Sequence, residues 1–447
     1  MRQLEAAGWT CVHDPEEPKG EICVINTCGF IGDAKEESIN MILQRAERKK
    51  KKKLRKLIVM GCLSERYRAE LEAELPEVDH YFGKFDFLEL TKELRVLSPR
   101  EARLFESLEL REVESCKSFE RKLTTLSHYA YLKISEGCNR MCSYCAIPLI
   151  TGRHTSRPKA EILDEVRWLV GQGVKELNVI AQDLSSYGLD LSHQPSAVSH
   201  QKRHLLPELI DEMAQIEGVE WIRLHYAYPT DFPEELLDVM AKHTNVCKYL
   251  DIALQHCTDH MLGLMRRHIT RKEQDALLRK IREKVPGICI RTTLLVGHPG
   301  ETEEDFEALK TWVKEMRFER MGCFAYSDEE GTYANKHYTD DIPQEVKEAR
   351  AAELMAIQQQ ISGELMQQLV GKTERVIIDR LEGDYYVGRT QYDSPEVDCE
   401  VLIKKLRAES LELREVKELK VGELKVGEFY NVKIFKAEEF DLYGEIC

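Results

Sequence analysis

At 447 residues the chain is longer than one hydrophobic core usually supports, so two or three domains are expected. Its 43% apolar and 32% charged residues are those of an ordinary globular protein. No run of about 18 apolar residues is present to span a bilayer, and MRQLEAAGWTC reads as the end of an amphipathic helix rather than a signal peptide, which places the protein in the cytoplasm. Fourteen cysteines are too dilute for a disulfide scaffold, and a net charge of −15 argues against a surface that grips nucleic acid throughout and for a basic protein partner.

From residue 1 to 97, short apolar runs at 22–26 and 57–60 alternate with helical stretches at 36–48 and 64–75, the pattern of a parallel α/β domain. A charge-dense linker follows at 98–127. Residues 128–367 repeat strand then helix six times, with strands predicted to begin at Tyr129, Glu176, Trp221, Tyr249, Ile288 and Met321. One amphipathic helix carries Ile162, Val166, Leu169 and Val170 on one face before Gly171 and Gly173. Six βα units are fewer than the eight of a closed barrel, so an open, partial barrel is expected. A polar insertion at about 193–203 follows the second strand. Residues 368–447 change to short β-type runs separated by Gly and Asp, the signature of a small all-β barrel. ELKVG occurs twice in tandem at 418–427, too short a unit for a repeat architecture.

The sharpest chemical feature is Cys138-Asn-Arg-Met-Cys142-Ser-Tyr-Cys145, directly after the first strand of the middle region. Three thiolates within eight residues can each take one iron of a four-iron four-sulfur cluster, which normally uses four cysteines. The fourth iron is then open to chelate a small molecule. The alternative, a structural zinc knuckle, usually shows two ligand pairs or a nearby histidine. Polar residues close every strand of this region at the end where barrel chemistry gathers: Cys138, Gln182 and Asp183, Tyr226 to Pro229, Gln255 and His256, Gly297 to Gly300, Tyr326 and Ser327. His256 by itself reads as a hydrogen-bonded structural histidine, and the Gly297 turn as only a turn; their agreement on one rim is the signal.

Cys28 and Cys62 each end a predicted N-terminal strand, at the carboxyl edge where ligands of α/β folds gather. Cysteine is also a small buried hydrophobe, and both readings stand for this pair. Cys11, Cys23, Cys116, Cys247, Cys257, Cys289, Cys323, Cys399 and Cys447 take the buried-hydrophobe reading. The basic run at 47–56 reads as a solvated helix C-terminus, where cations complement the dipole, in preference to a nucleic-acid patch.

The whole chain resembles the radical S-adenosylmethionine (SAM) methylthiotransferases, with an N-terminal methylthiotransferase domain, a radical-SAM barrel and a C-terminal TRAM domain. CxxxCxxC marks the superfamily. LKISEGCNRMCSYCAIP, NTCGFI, GCLSER and VGHPGET mark the methylthiotransferases. WIRLHYAYP at Trp221, HYAYLKISEGCNR and the C-terminal DLYGE are similar to the branch that modifies an aspartate of small-subunit ribosomal protein twelve, whereas the tRNA-modifying branch carries Ser-His-Pro at the end of the third strand. Residues 371–447 hold 13 basic and 18 acidic residues, net −5, which repels RNA and attracts a basic ribosomal protein.

The resemblance implies methylthiolation of the aspartate β-carbon. It assigns one 4Fe–4S cluster and SAM to Cys138, Cys142 and Cys145, and part of a second, sulfur-supplying cluster to Cys28 and Cys62. An external electron donor and sulfur source complete the reaction. SAM contacts are expected at Tyr144, Gln182, Arg291 and Gly297 on the cluster-bearing rim. Two alternatives are tRNA adenosine methylthiolation and a non-catalytic SAM- and RNA-binding iron–sulfur protein. The family's first N-terminal cysteine belongs to a segment ahead of Met1, so a start upstream of Met1, or substitution by Cys11 or Cys23, is expected, the former favoured. Ala253 where proline is usual is a minor departure.

Overall fold

The protein is described by a computed structural model over residues 1–6, 9–15, 20–84, 86–96, 121–191, 203–405 and 424–447. The expected linker and polar insertion, Cys116, and the first of the two ELKVG copies lie for the most part or wholly outside these residues. The chain forms two compact units: one of Met1–Thr124, Gly137–Arg153 and Ser327–Tyr338, the other of Thr125–Glu136, His154–Tyr326 and Thr339–Cys447.

The first unit holds a three-stranded parallel sheet of β1 (Ile22–Thr27), β2 (Lys56–Gly61) and β3 (His80–Phe82), with β2 central. Helices Gly32–Lys50, Cys62–Glu74 and Phe87–Val96 connect and follow the strands. In the central strand, Leu57 and Val59 pack into a core with Ile25, Ile42, Leu63 and Tyr81, while Ile58 and Met60 pack with Leu90 and Leu94. Burial of alternate residues in two separate cores explains why LIVM reads as a continuous apolar run. The basic run ends helix Gly32–Lys50 as expected, and its cations are matched by acids: Lys49 binds Asp79 at 2.6 Å, Lys50 binds Glu77 at 3.1 Å and Lys56 binds Asp79 at 3.4 Å.

In the second unit β4 (Tyr129–Lys133) is followed by the short hairpin strands β5 (Ser135–Glu136) and β6 (Thr155–Ser156). Then come β7 (Glu176–Ile180), β8 (Trp221–Ala227), β9 (Val246–Ile252), β10 (Cys289–Val296) and β11 (Arg320–Ala325). The sheet order is β11-β10-β9-β8-β7-β4, with every strand pair parallel: six strands in sequence order, the open partial barrel expected. β9 begins at Val246, ahead of the Tyr249 at which its apolar pattern starts, because pairing of Val246 with Ile222 of β8 extends it toward its amino end.

The last strands, β12 (Thr373–Glu382), β13 (Tyr385–Arg389), β14 (Glu400–Lys404), β15 (Phe429–Ala437) and β16 (Asp441–Ile446), close into a barrel. The sequence's β-type runs after residue 368, RVIIDR, YYVGRT, EVLI and FYNVKIF, coincide in chain order with β12, β13, β14 and β15. The fifth, DLYGEI, completes the barrel by pairing parallel with β14 and antiparallel with β15.

This barrel is fastened to the amino ends of β4 and β7 by buried charge. Glu176 accepts Arg223 at 2.9 Å and Arg389 at 2.8 Å; Arg389 also binds Asp379 at 2.6 Å, and Asp379 meets His128 at 2.7 Å. Burial alone would push the Glu176 carboxyl up, but Arg389 and Arg223 hold it below the ordinary carboxylate range.

Candidate active site

Gly137 is the hinge of the three-cysteine loop. Its φ is +78°, and a Cβ there would collide with the Arg153 carbonyl, so the loop closes on itself only with glycine at this position. The closure is completed by Cys138 N–H donating to Gly152 O (3.2 Å) and Cys145 N–H donating to Cys142 O (3.2 Å). Cys138 and Cys142 are buried and Cys145 half-buried. The Arg140 amide donates to Cys138 Sγ at 3.3 Å, the kind of contact that tunes a cluster sulfur. A cavity of about 440 Å³ opens beside Cys138, lined also by Asn139, Met141, Pro148, Gly152 and Arg153. None of the described cysteines forms a disulfide. Among the described residues no three Cys, His, Asp or Glu side chains converge on one metal ion; thiolates that each take a different iron of a cluster need not. Three thiols on one loop, an amide aimed at one sulfur and adjoining space fit an iron–sulfur cluster.

Cys28 and Cys62 stand one residue beyond β1 and β2, with Cys62 opening helix Cys62–Glu74 rather than ending a strand. The structure brings their backbones together: a Cβ on Gly29 would lie 2.8 Å from the Cys62 carbonyl. Cys28 is exposed and its amide donates to Ser38 Oγ at 3.0 Å. Gly61, at φ +110°, packs against Thr27 with no room for a side chain. The segment Ser327–Tyr338 touches both cysteine regions. Its buried Glu329 binds Lys35 (2.8 Å) and Arg66 (3.2 Å), Arg66 donates to Gly29 O (2.9 Å), and Ala334 N–H donates to Ser143 O (2.7 Å). Glu329 carried no sequence signal, because its partners lie more than 260 positions away.

The four expected SAM contacts divide between the units. Tyr144 lies half-buried on the cysteine loop of the first. In the second, Gln182 donates to Glu136 at 2.6 Å while its Oε1 is buried with no hydrogen-bond partner, as is Ser135 Oγ. Arg291 lies between Asp251 (3.3 Å) and Asp398 (3.5 Å). Gly297, at φ +72°, donates its amide to Glu301 at 2.7 Å. Glu301 also binds Arg350 at 2.6 Å and meets His256 Nε2 at 3.2 Å; since Thr258 N–H donates to Nδ1, His256 carries its proton on Nε2 and donates it to Glu301. His256 is thus buried and hydrogen-bonded on both ring nitrogens. The reciprocal Thr302–Asp305 capping box starts the next helix and anchors the glycine turn from its other side. Burial pushes the thiols of Cys247, Cys257, Cys323 and Cys399 up to about 12, as suits packing rather than chemistry.

Comparison with known proteins bears on this arrangement directly. Residues 132–313 match the Radical SAM superfamily, residues 370–447 the TRAM domain, and residues 1–83 the Uncharacterized protein family UPF0004. The ribosomal protein uS12 methylthiotransferase RimO of Phocaeicola vulgatus is 58% identical over 446 residues, covering 100% of this chain and 94% of that one. The protein of the same name from Porphyromonas gingivalis strain ATCC 33277 is 52% identical with the same coverage, and that from Christiangramia forsetii is 50% identical, covering 90% of its length. The radical SAM methyltransferase TsrM of Kitasatospora setae, solved with cobalamin and a 4Fe–4S cluster, is 15% identical with a TM-score of 0.50, covering 73% of this chain and 67% of that one, a likeness of fold alone. With half or more of its residues shared along its whole length, the chain belongs to the ribosomal protein uS12 methylthiotransferase family of radical-SAM enzymes.

Proposed function

We propose that the chain adds a methylthio group to the β-carbon of an aspartate of ribosomal protein uS12, using SAM and an iron–sulfur cluster on Cys138, Cys142 and Cys145. The observation that carries this is the three-cysteine loop with its adjoining cavity, in a chain sharing 58% of its residues with a uS12 methylthiotransferase. Cys138, Cys142 and Cys145 would hold the cluster, which would supply the reducing electron for radical chemistry on SAM able to take hydrogen from an unactivated C–H bond. Gln182 Oε1 and Ser135 Oγ, buried without partners, are suited to bind SAM, with Tyr144, Gly297 and Arg291 as the other expected contacts. Cys28 and Cys62 hold part of a second cluster that supplies sulfur, replenished from an external source, and an external donor provides electrons.

The domains run 1–97, 128–367 and 368–447, joined by the linker at 98–127. No described helix is long and apolar enough to cross a membrane, and we assign the enzyme to the cytoplasm. The net charge of −5 over residues 371–447 favours the basic ribosomal protein over tRNA. Mass spectrometry of uS12 and of tRNA nucleosides, from cells with and without the gene, tests the proposal. A methylthio increment on uS12 is expected, and its absence together with methylthiolated adenosine in tRNA would overturn the assignment.

A further inference from the structure

Six of the seven residues of β8 are buried and one, Tyr226, is exposed. Pairing along β8 and β9 explains the exception. Leu224 is opposite Leu250 and Ala227 opposite Ile252, three steps on one strand against two on the other. The register also shifts between Ile222 and Leu224, two steps on β8 against four on β9, so the pairing is irregular on both sides of Leu224; bulge-like irregularities of this kind re-aim side chains and are frequent beside active sites. Tyr226 takes up the extra residue of β8 with φ +63°, a left-handed conformation that a bulky side chain rarely adopts, and the residue is left 53% exposed at the carboxyl end of the strand.

The strained conformation is held from beneath. Tyr226 N–H donates to Asp251 Oδ2 at 3.4 Å, and Asp251 is buried and paired with Arg291 at 3.3 Å. Arg291 reaches Asp398 at 3.5 Å, and Asp398 accepts the Tyr249 hydroxyl at 2.8 Å. A polar chain therefore runs from the C-terminal region to the one outward side chain of β8. Strain persists where its surroundings over-determine it, and such places cluster at binding and catalytic sites.

We propose that Tyr226 is a specificity-determining contact for the polypeptide substrate, its ring being the surface on which the uS12 segment bearing the target aspartate lies. Asp251 is the positioning residue that keeps the ring there, steadied by Arg291 and Asp398. Tyrosine is suited to such a contact, because it offers a large rigid face with few rotors to order, and that face accepts a cationic side chain of a basic protein. The inference rests on uS12 being the substrate.

The test is methylthiolation kinetics with purified uS12, together with calorimetric binding of uS12 to the cluster-reconstituted enzyme without SAM. Tyr226→Ala should raise KM and weaken binding by about tenfold or more, as loss of an aromatic anchor does, with kcat within about twofold. Tyr226→Phe, which keeps the ring, should match the parent in both. Tyr226→Gly separates binding from folding, since glycine relieves the strain: it should share the binding defect while its Tm stays at or above the parent's. Asp251→Asn should shift KM in the same direction as Tyr226→Ala. Unchanged KM and binding in Tyr226→Ala would overturn the inference. A parent enzyme that leaves uS12 unmodified would instead overturn the function on which it rests.

Discussion

At the scale of single residues, the roles of the cysteines differ by environment as much as by spacing. Cys142 shares a loop with two other thiols, whereas Cys247 and Cys289 are buried in an apolar cluster with Trp221 and Tyr249. Cys142→Ala should therefore abolish 5′-deoxyadenosine formation from SAM, because two thiolates do not retain a cluster with one open iron, while Cys247→Ala should cost only packing. Undiminished 5′-deoxyadenosine in Cys142→Ala would sink the assignment. His298 shows how burial acts on a titrating group: it holds the imidazole down to about 4, below its usual 6.5. The unfolded chain then binds a proton between pH 6.5 and 4 that the folded chain refuses. Stability present above pH 6.5 should fall across that window, by on the order of 3 kcal/mol in total. Urea unfolding at pH 7, 5.5 and 4.5 would show it, and His298→Asn should remove that part of the slope; an identical slope in the variant would refute the account.

At the scale of elements, glycines decide where the chemistry sits. Gly137 lets the cysteine loop close, and Gly29 lets the backbones of the Cys28 and Cys62 turns touch. A methyl group at position 137 meets backbone, which cannot swing aside as a flexible side chain can. Gly137→Ala should thus lower SAM cleavage by about ten- to 100-fold with all three thiols intact, the scale expected of reacting groups displaced by roughly 1 Å. Iron content and 5′-deoxyadenosine yield measured together check this, and parent-like values for both would show that the loop tolerates the side chain.

At the scale of the whole molecule, the C-terminal barrel is held to the βα domain by a core of charge. Glu176 is fully buried between Arg223 and Arg389. Glu176→Gln leaves both guanidinium groups short of compensation, so about 3 to 5 kcal/mol of stability should be lost. Denaturant unfolding measures it, and a loss under about 1 kcal/mol would mean that Asp379 alone satisfies the cluster. The same attachment gives Asp398 its place beside Arg291, so the small barrel contributes to the interior of the large one as well as carrying an acidic surface.

Local signals were enough for the three-cysteine loop, the six βα units, the four β-type runs of the C-terminal barrel and the family. Each depends on residues close in sequence: a spacing of thiols, an apolar run between helical periods, a motif of a few positions. The fifth strand of the closed barrel was not legible because its strand character comes from pairing with β14 and β15. The irregular pairing at Tyr226 was hidden for the same reason, since a count of three residues against two exists only once β9 lies alongside. Nothing local in the sequence marks Glu329, Glu176 or Asp251 as a buried acid. Only the tertiary structure buries them against arginines and lysines from distant segments, because a charge can be buried only where the fold delivers its partners.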